Sequence, residues 1–142
     1  MNWIYNDGGR AAAGYKGAAG DCVCRAIAIA SQQPYQRVYD DLNELASTER
    51  PGRRKRGRSS ARTGIRKPTT RRYLKILGWR WVATMQIGQG CTTHLKANEL
   101  PAGRLIVAVS KHLVAVVDGV IHDTHDPSRG GTRCVYGYWK ES

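Results

Sequence analysis

The stretch His112-Leu-Val-Ala-Val-Val-Asp-Gly-Val-Ile-His-Asp123 decides the fold. Two apolar runs flank Asp118-Gly119, and Asp-Gly is the pair favoured in two-residue hairpin turns, whose central residues both need positive φ. The run is therefore a hairpin in which Val117 pairs with Val120, so that the numbers of every cross-strand pair add to 237. Val114 then faces Asp123, and His112 faces His125. Directly opposed residues share a face, as do residues two apart on one strand. His112, Val114, Asp123 and His125 fall on one side, with His112 diagonal to Asp123. Asp126 points the other way, Asp118 sits in the turn, and His122 lies on the face opposite His125.

Working outward, residues 105–109 are apolar without alternation, as expected of a central strand covered on both faces. Residues 79–85 alternate Trp79, Trp81, Ala83 and Met85 with Arg80, Val82 and Thr84, and residues 133–139 supply one more strand. The first half reads differently. A helix opens at Asp21, a favoured N-cap residue, and its Cys22-Val-Cys-Arg-Ala-Ile-Ala-Ile-Ala30 run is apolar enough to be buried nearly all round. A second begins at Pro34 and sets Tyr35, Val38, Leu42 and Leu45 along one face. A third spans residues 69–77, with Gly78 as its stop. Residues 1–20 are glycine- and alanine-rich and read as loop. Helices first and antiparallel strands second make an α+β domain, with N-terminal helices packed on a C-terminal antiparallel sheet.

The chain has 142 residues, 41% of them hydrophobic, which is enough for one core and one domain over 1–142. No run approaches the roughly 18 apolar residues of a membrane span, so no membrane partner is expected. The opening Met-Asn-Trp-Ile-Tyr-Asn-Asp lacks the basic-then-apolar pattern of a secretory signal, which predicts a cytoplasmic protein with all four cysteines reduced.

The formal charge is +12, from 23 Lys and Arg against 11 Asp and Glu. Its placement is more informative than its size. Twelve of the cations lie between Arg50 and Lys75, a stretch without an acid, and the rest of the chain is balanced. Residues 48–68 hold most of these cations with Pro51, Gly52, Gly57, Ser59 and Ser60. With Ile65 as the one large apolar side chain among 50–67, this segment reads as a flexible basic insert.

Cys22 stands at the first turn of its helix, after a glycine-rich loop. Unpaired N–H groups and the helix dipole there stabilise a thiolate. A thiolate nucleophile needs a partner base, and His112 is the candidate; Asp123, diagonal to it, is placed to fix the imidazole tautomer. Cys24 is turned to the far side of the helix and reads as core, and Cys91 and Cys134 read as structural. Cys-x-Cys on a helix diverges, and His122 and His125 lie on opposite strand faces, so no metal site is expected. No organic cofactor is required either. The tryptophans and tyrosines of the strands are core or groove-wall residues.

Gly20-Asp21-Cys22 opening an apolar helix, then His112-Leu-Val-Ala-Val-Val-Asp-Gly119, then Asp123, resembles a small papain-like cysteine peptidase domain, closest to the branch that processes bacteriocin leaders. The resemblance covers roughly 14–139 and leaves the basic insert outside. It implies a papain-like fold, a peptide or protein substrate, and a Cys22–His112–Asp123 triad. The family pattern has a Gln about six residues before the cysteine that helps hold the oxyanion. Here position 16 is Lys and no Gln lies upstream, so Lys16 and Asn6 become the substitute candidates beside the Cys22 N–H.

The alternative function is a non-catalytic module that binds nucleic acid, or an acidic protein, through Arg53, Arg54, Lys55, Arg56, Arg58, Arg62, Arg66, Lys67, Arg71 and Arg72. Such cations bind phosphates by releasing counterions. The absence of aromatic residues from 50 to 72 predicts that this binding ignores sequence.

Overall fold

The computed structural model describes residues 1–50 and 58–141. Three helices, α1 (Cys22–Ser31), α2 (Tyr35–Ala46) and α3 (Lys67–Ile76), accompany a six-stranded sheet. In chain order the strands are β1 (Trp3–Tyr5), β2 (Trp79–Ala83), β3 (Arg104–Val109), β4 (His112–Val117), β5 (Val120–Asp123) and β6 (Val135–Glu141). Across the sheet they run β1-β5-β4-β3-β6-β2. The α+β class is as expected, but the sheet is mixed rather than wholly antiparallel. Residues 3–5, expected as loop, pair parallel to β5, with Trp3 beside Ile121 and Tyr5 beside Asp123. No helix of the described residues is long and apolar enough to cross a membrane.

The decisive hairpin has the expected register: Val117 pairs with Val120, Val116 with Ile121 and Ala115 with His122. Asp118 at φ 47° and Gly119 at φ 79° make the turn, the positive-φ pair that Asp-Gly accommodates at least cost. On the other side of β4, Val109 pairs with His112, so Ser110 and Lys111 alone reverse the chain between β3 and β4. His112 is thereby fixed as the first residue of a central strand, at one end of the sheet.

Both faces of the central strands of that sheet are buried. On one, Ile106, Ala115, Trp79 and Trp139 pack against Ile27, Val38, Leu42 and Leu74 of the helices. On the other, Leu105, Val107, Val114, Val116 and Ile121 lie under Leu95 and Leu100 from the connection between β2 and β3. This double coverage explains why β3 and β4 carry continuous apolar runs. Residues 26–30 of α1 are all buried, in keeping with its Ala/Ile composition. The C-terminal end of α1 is pinned to the sheet by Arg104, whose guanidinium donates to the carbonyls of Ile29 and Ala30 at 2.6 and 2.8 Å. A cation on the last carbonyls of a helix is favourable on both hydrogen-bond and dipole grounds.

Two further expectations fail. Cys91 and Cys134 are not reduced thiols but a disulfide, with Cα atoms 5.9 Å apart. The β2–β3 connection runs alongside the start of β6, with Leu95 N–H on the Arg133 carbonyl and Val135 N–H on that of Thr93. That pairing brings together two cysteines 43 residues apart. The second failure is in the basic insert, where residues 58–66 are packed. Ala61 is buried and its N–H donates to Asn43 Oδ1 at 2.8 Å, while Ser60 and Gly64 form a small bridge. Glu49, almost wholly buried, accepts from the Ser59 N–H, the Ser59 hydroxyl and the Thr69 hydroxyl, and pairs with Arg66. Polar contacts hold this segment together with the burial of Ala61 and the packing of Ile65 against the core. The remainder of the insert, 51–57, lies outside the described residues.

Candidate active site

Cys22 opens α1, and the chain leading to it is held from two directions. The Gly20 N–H donates to the Arg62 carbonyl at 2.8 Å. A Cβ on Gly20 would stand 3.0 Å from the Thr63 carbonyl oxygen, so glycine is what lets the 58–66 segment lie against the approach to Cys22. Arg62 also reaches the carbonyls of Lys16 and Ala18, tying down the glycine-rich loop.

Asp21, expected as a side-chain N-cap, makes no cap hydrogen bond. Its carboxylate is buried and spent elsewhere: Arg25 one turn on, the Tyr35 hydroxyl at 2.6 Å, and Arg10 at 3.5 Å. A polar group buried this deeply needs partners for its oxygens, and these three supply them. The second arm of Arg25 reaches Asp123 Oδ1 at 3.4 Å. One guanidinium thus links the start of α1 to the end of β5. Sequence reasoning missed Arg25 and Tyr35, although Asp21 and Arg25 carry the i, i+4 spacing of a helical ion pair.

His112 and Asp123 meet as the register required. His112 Nε2 lies 2.7 Å from Asp123 Oδ2, and both side chains are largely buried. Asp123 Oδ1 accepts the Thr124 N–H at 2.7 Å. With Nε2 engaged, Nδ1 is the ring nitrogen left for Cys22. Asp126 takes no part and instead accepts the Ser128 N–H. His125 lies beside the pair, its ring centroid 5.2 Å from that of His112.

The electrostatics differ sharply between the two free cysteines. Burial pushes the Cys22 thiol up, but contact with His112, the Leu113 N–H and the charge of Arg25 outweigh it, and the thiol lies below its ordinary value. Cys24, two residues on, is pushed up to about 12, chiefly by burial. Burial favours the neutral His112 ring, yet Asp123 and Cys22 together raise it to about 9. The two shifts work together, each favouring the charged form of its group beside the other.

A cleft of about 750 Å³ opens over these residues. Gly20, Cys22 and Val23, Thr63–Ile65, residues of α3, and the aromatic residues Trp81, Tyr136 and Trp139 all line it. Trp81 stacks against Trp139 at 5.2 Å, lying over Gly137, where a Cβ would stand 2.3 Å from its ring. The aromatic wall therefore depends on a glycine in β6. Part of the presumed flexible insert is thus a wall of the cleft.

The two substitute oxyanion candidates do not reach this cleft. Asn6 accepts the Gly8 N–H and donates to His122, and Lys16 is exposed on the loop that Arg62 holds; neither lines the cleft. The Cys22 N–H, in the first turn of α1 where no intrahelical acceptor exists, remains as a donor. Of the ten cations of the alternative reading, Arg53, Arg54, Lys55 and Arg56 lie outside the described residues. Arg58 and Arg66 bind the base of the insert, Arg62 the glycine-rich loop, and Arg72 the Thr48 hydroxyl. Lys67 and Arg71 line the cleft.

His112, Asp123 and His125 also form a group whose ligand atoms lie within 4.8 Å of one another. Both Asp123 oxygens already have partners, one of them a guanidinium, so a cation there would face Arg25. The arrangement suits a proton relay better than a metal. No known protein family, curated protein sequence or solved structure matches this chain.

Proposed function

We propose that this protein is a thiol-dependent enzyme of papain-like type, a peptidase or a related acyl-transfer hydrolase that attacks an amide or isopeptide carbonyl. The observation that carries the reading is the 2.7 Å contact of His112 Nε2 with buried Asp123, beside a helix-start Cys22 whose thiol is lowered by that same histidine. The Cys22 thiolate adds to the carbonyl carbon, and the oxyanion forms against the Cys22 N–H. His112, protonated and held by Asp123, gives its proton to the leaving amine as the C–N bond breaks, leaving a thioester. The neutral ring then takes a proton from water, or from an acceptor amine, which attacks the thioester and frees Cys22 as the thiolate.

Treating the protein with a thiol-directed electrophile at neutral pH and mapping the labelled residue tests the nucleophile. Fast, selective modification of Cys22 supports the reading. A Cys22 no more reactive than Cys24 ends it. With a cleavable peptide in hand, Cys22→Ala should abolish turnover while leaving the thermal transition in place.

A further inference from the structure

We propose that α3 carries a carboxylate-binding subsite, formed by Lys67, Thr70 and Arg71, and that the chain bound in the cleft is anionic where it crosses this helix. The inference deepens the reading above, and it rests on that reading for the bound chain being a substrate.

Positions 67, 70 and 71 are spaced i, i+3 and i+4, so they share one face of α3, and all three line the cleft. The helix divides its polar groups between two tasks. Thr69, Arg66 and Arg72 serve the Glu49 and Thr48 side, whereas Lys67 and Arg71 turn to the cleft. Thr70 is 8% exposed, and its hydroxyl has no hydrogen-bond partner among the described residues. Buried hydroxyls are normally paired, and this one sits in a residue of the cleft lining as a donor for which the described residues supply no acceptor. Two cations and one donor without an acceptor make a set that a carboxylate satisfies.

The charge around the cleft agrees. Among the described residues Asp21 is the only acid that lines it, and that carboxylate is buried and consumed by Arg10, Arg25 and Tyr35. Lys111 adds a further cation to the lining. Among the described residues an incoming carboxylate meets no free carboxylate there. Trp81 and Tyr136, also in the lining, remain 42% and 38% exposed and offer an apolar surface to the rest of the ligand. A cleft of this size takes a few residues of peptide. Its carboxylate is either an Asp or Glu side chain or a chain terminus.

The test uses the full chain carrying Cys22→Ala and fluorescein-labelled hexapeptides, read by anisotropy at about 50 and 200 mM salt. One peptide carries two internal glutamates and an amidated end, and its twin has glutamines. A second pair is neutral and ends in a free carboxylate or an amide. We expect one acidic member to bind about tenfold tighter than its twin, and the pair in which this occurs identifies the source of the carboxylate. Lys67→Glu with Arg71→Glu should abolish or reverse the preference. Thr70→Val should weaken the acidic peptide several-fold, with Thr70→Ser retaining it. Lys75→Glu with Arg80→Glu, the same charge change on exposed positions outside the cleft, should leave it intact. Equal binding of the twins overturns the subsite. So does an equal loss with the control pair, or a single-stranded oligonucleotide of matched charge that outcompetes the acidic peptide. Electrophile labelling of the unsubstituted protein separates the two claims. Fast Cys22 modification without acidic preference removes the subsite alone, and acidic preference with a sluggish Cys22 removes the enzyme alone.

Discussion

Cys22 and Cys24 are two residues apart on one helix, yet their thiols are driven in opposite directions. Both are penalised by burial; only Cys22 has an imidazole beside it. Hydrolysis by the proposed route needs a thiolate and an imidazolium together. The thiolate forms as pH rises through the lowered Cys22 value, and the imidazolium is lost as pH rises through about 9. A plot of kcat/KM against pH should therefore be bell-shaped, with its alkaline limb near 9. An alkaline limb at pH 7 or below would mean that His112 is not raised by Asp123. The same pairing separates the aspartates. Asp123→Ala, and the gentler Asp123→Asn, should lower kcat on the order of 100-fold or more, because the imidazole loses its orienting partner. Asp126→Ala, which removes only a local Ser128 contact, should leave kcat within about twofold. Comparable losses from the two substitutions would show that the relay is wrongly assigned.

At the scale of elements, what could be read from the sequence followed from local rules. Asp118-Gly119 permits one tight turn, and a tight turn fixes every pair beyond it, so the meeting of His112 with Asp123 was legible before any coordinates. The Ala/Ile run of α1 was legible for the same kind of reason: composition alone demands burial. The misses depend on partners distant in the chain. Residues 3–5 have no alternation and become a strand only because β5 offers a free edge. Residues 58–66 carry little to bury, and Asn43, Glu49 and Gly20 hold them through polar contacts that no apolar pattern encodes. Lys16 and Asn6 both precede Cys22, but Arg62 holds the Lys16 carbonyl and His122 the Asn6 side chain, and neither residue lines the cleft. The brace at the far end of α1 is a further element-scale device. Arg104→Met keeps the length of the side chain but loses both charge-assisted bonds to Ile29 and Ala30. We expect a loss of about 1.5–3 kcal/mol in urea unfolding, with fast Cys22 labelling retained in the folded state. A stability within about 0.5 kcal/mol of the parent would show that packing, not the cap, anchors the helix.

Over the whole molecule, the sheet separates two jobs. Its helix-covered side carries α1 and, at one end, the cleft; its other side is closed by the connection between β2 and β3 through Leu95 and Leu100. The disulfide belongs to the second job, since Cys91 lies in that connection and Cys134 just before β6. Closing a loop of this length removes freedom mainly from the unfolded chain, a contribution of about 2–4 kcal/mol. Replacing both cysteines with serine should therefore lower Tm by roughly 5–15 °C. Labelling of Cys22 should be unchanged, because none of its neighbours, His112, Leu113 and Arg25, belongs to the connection. Differential scanning calorimetry of the double variant, alongside electrophile kinetics at a temperature where both proteins are folded, makes the comparison. An unshifted transition would show that the strand pairing of 93–95 with 133–135 holds the cover by itself. A slowed Cys22 at full folding would show that the closed face and the reactive end are mechanically coupled through β6, whose Tyr136 and Trp139 also line the cleft.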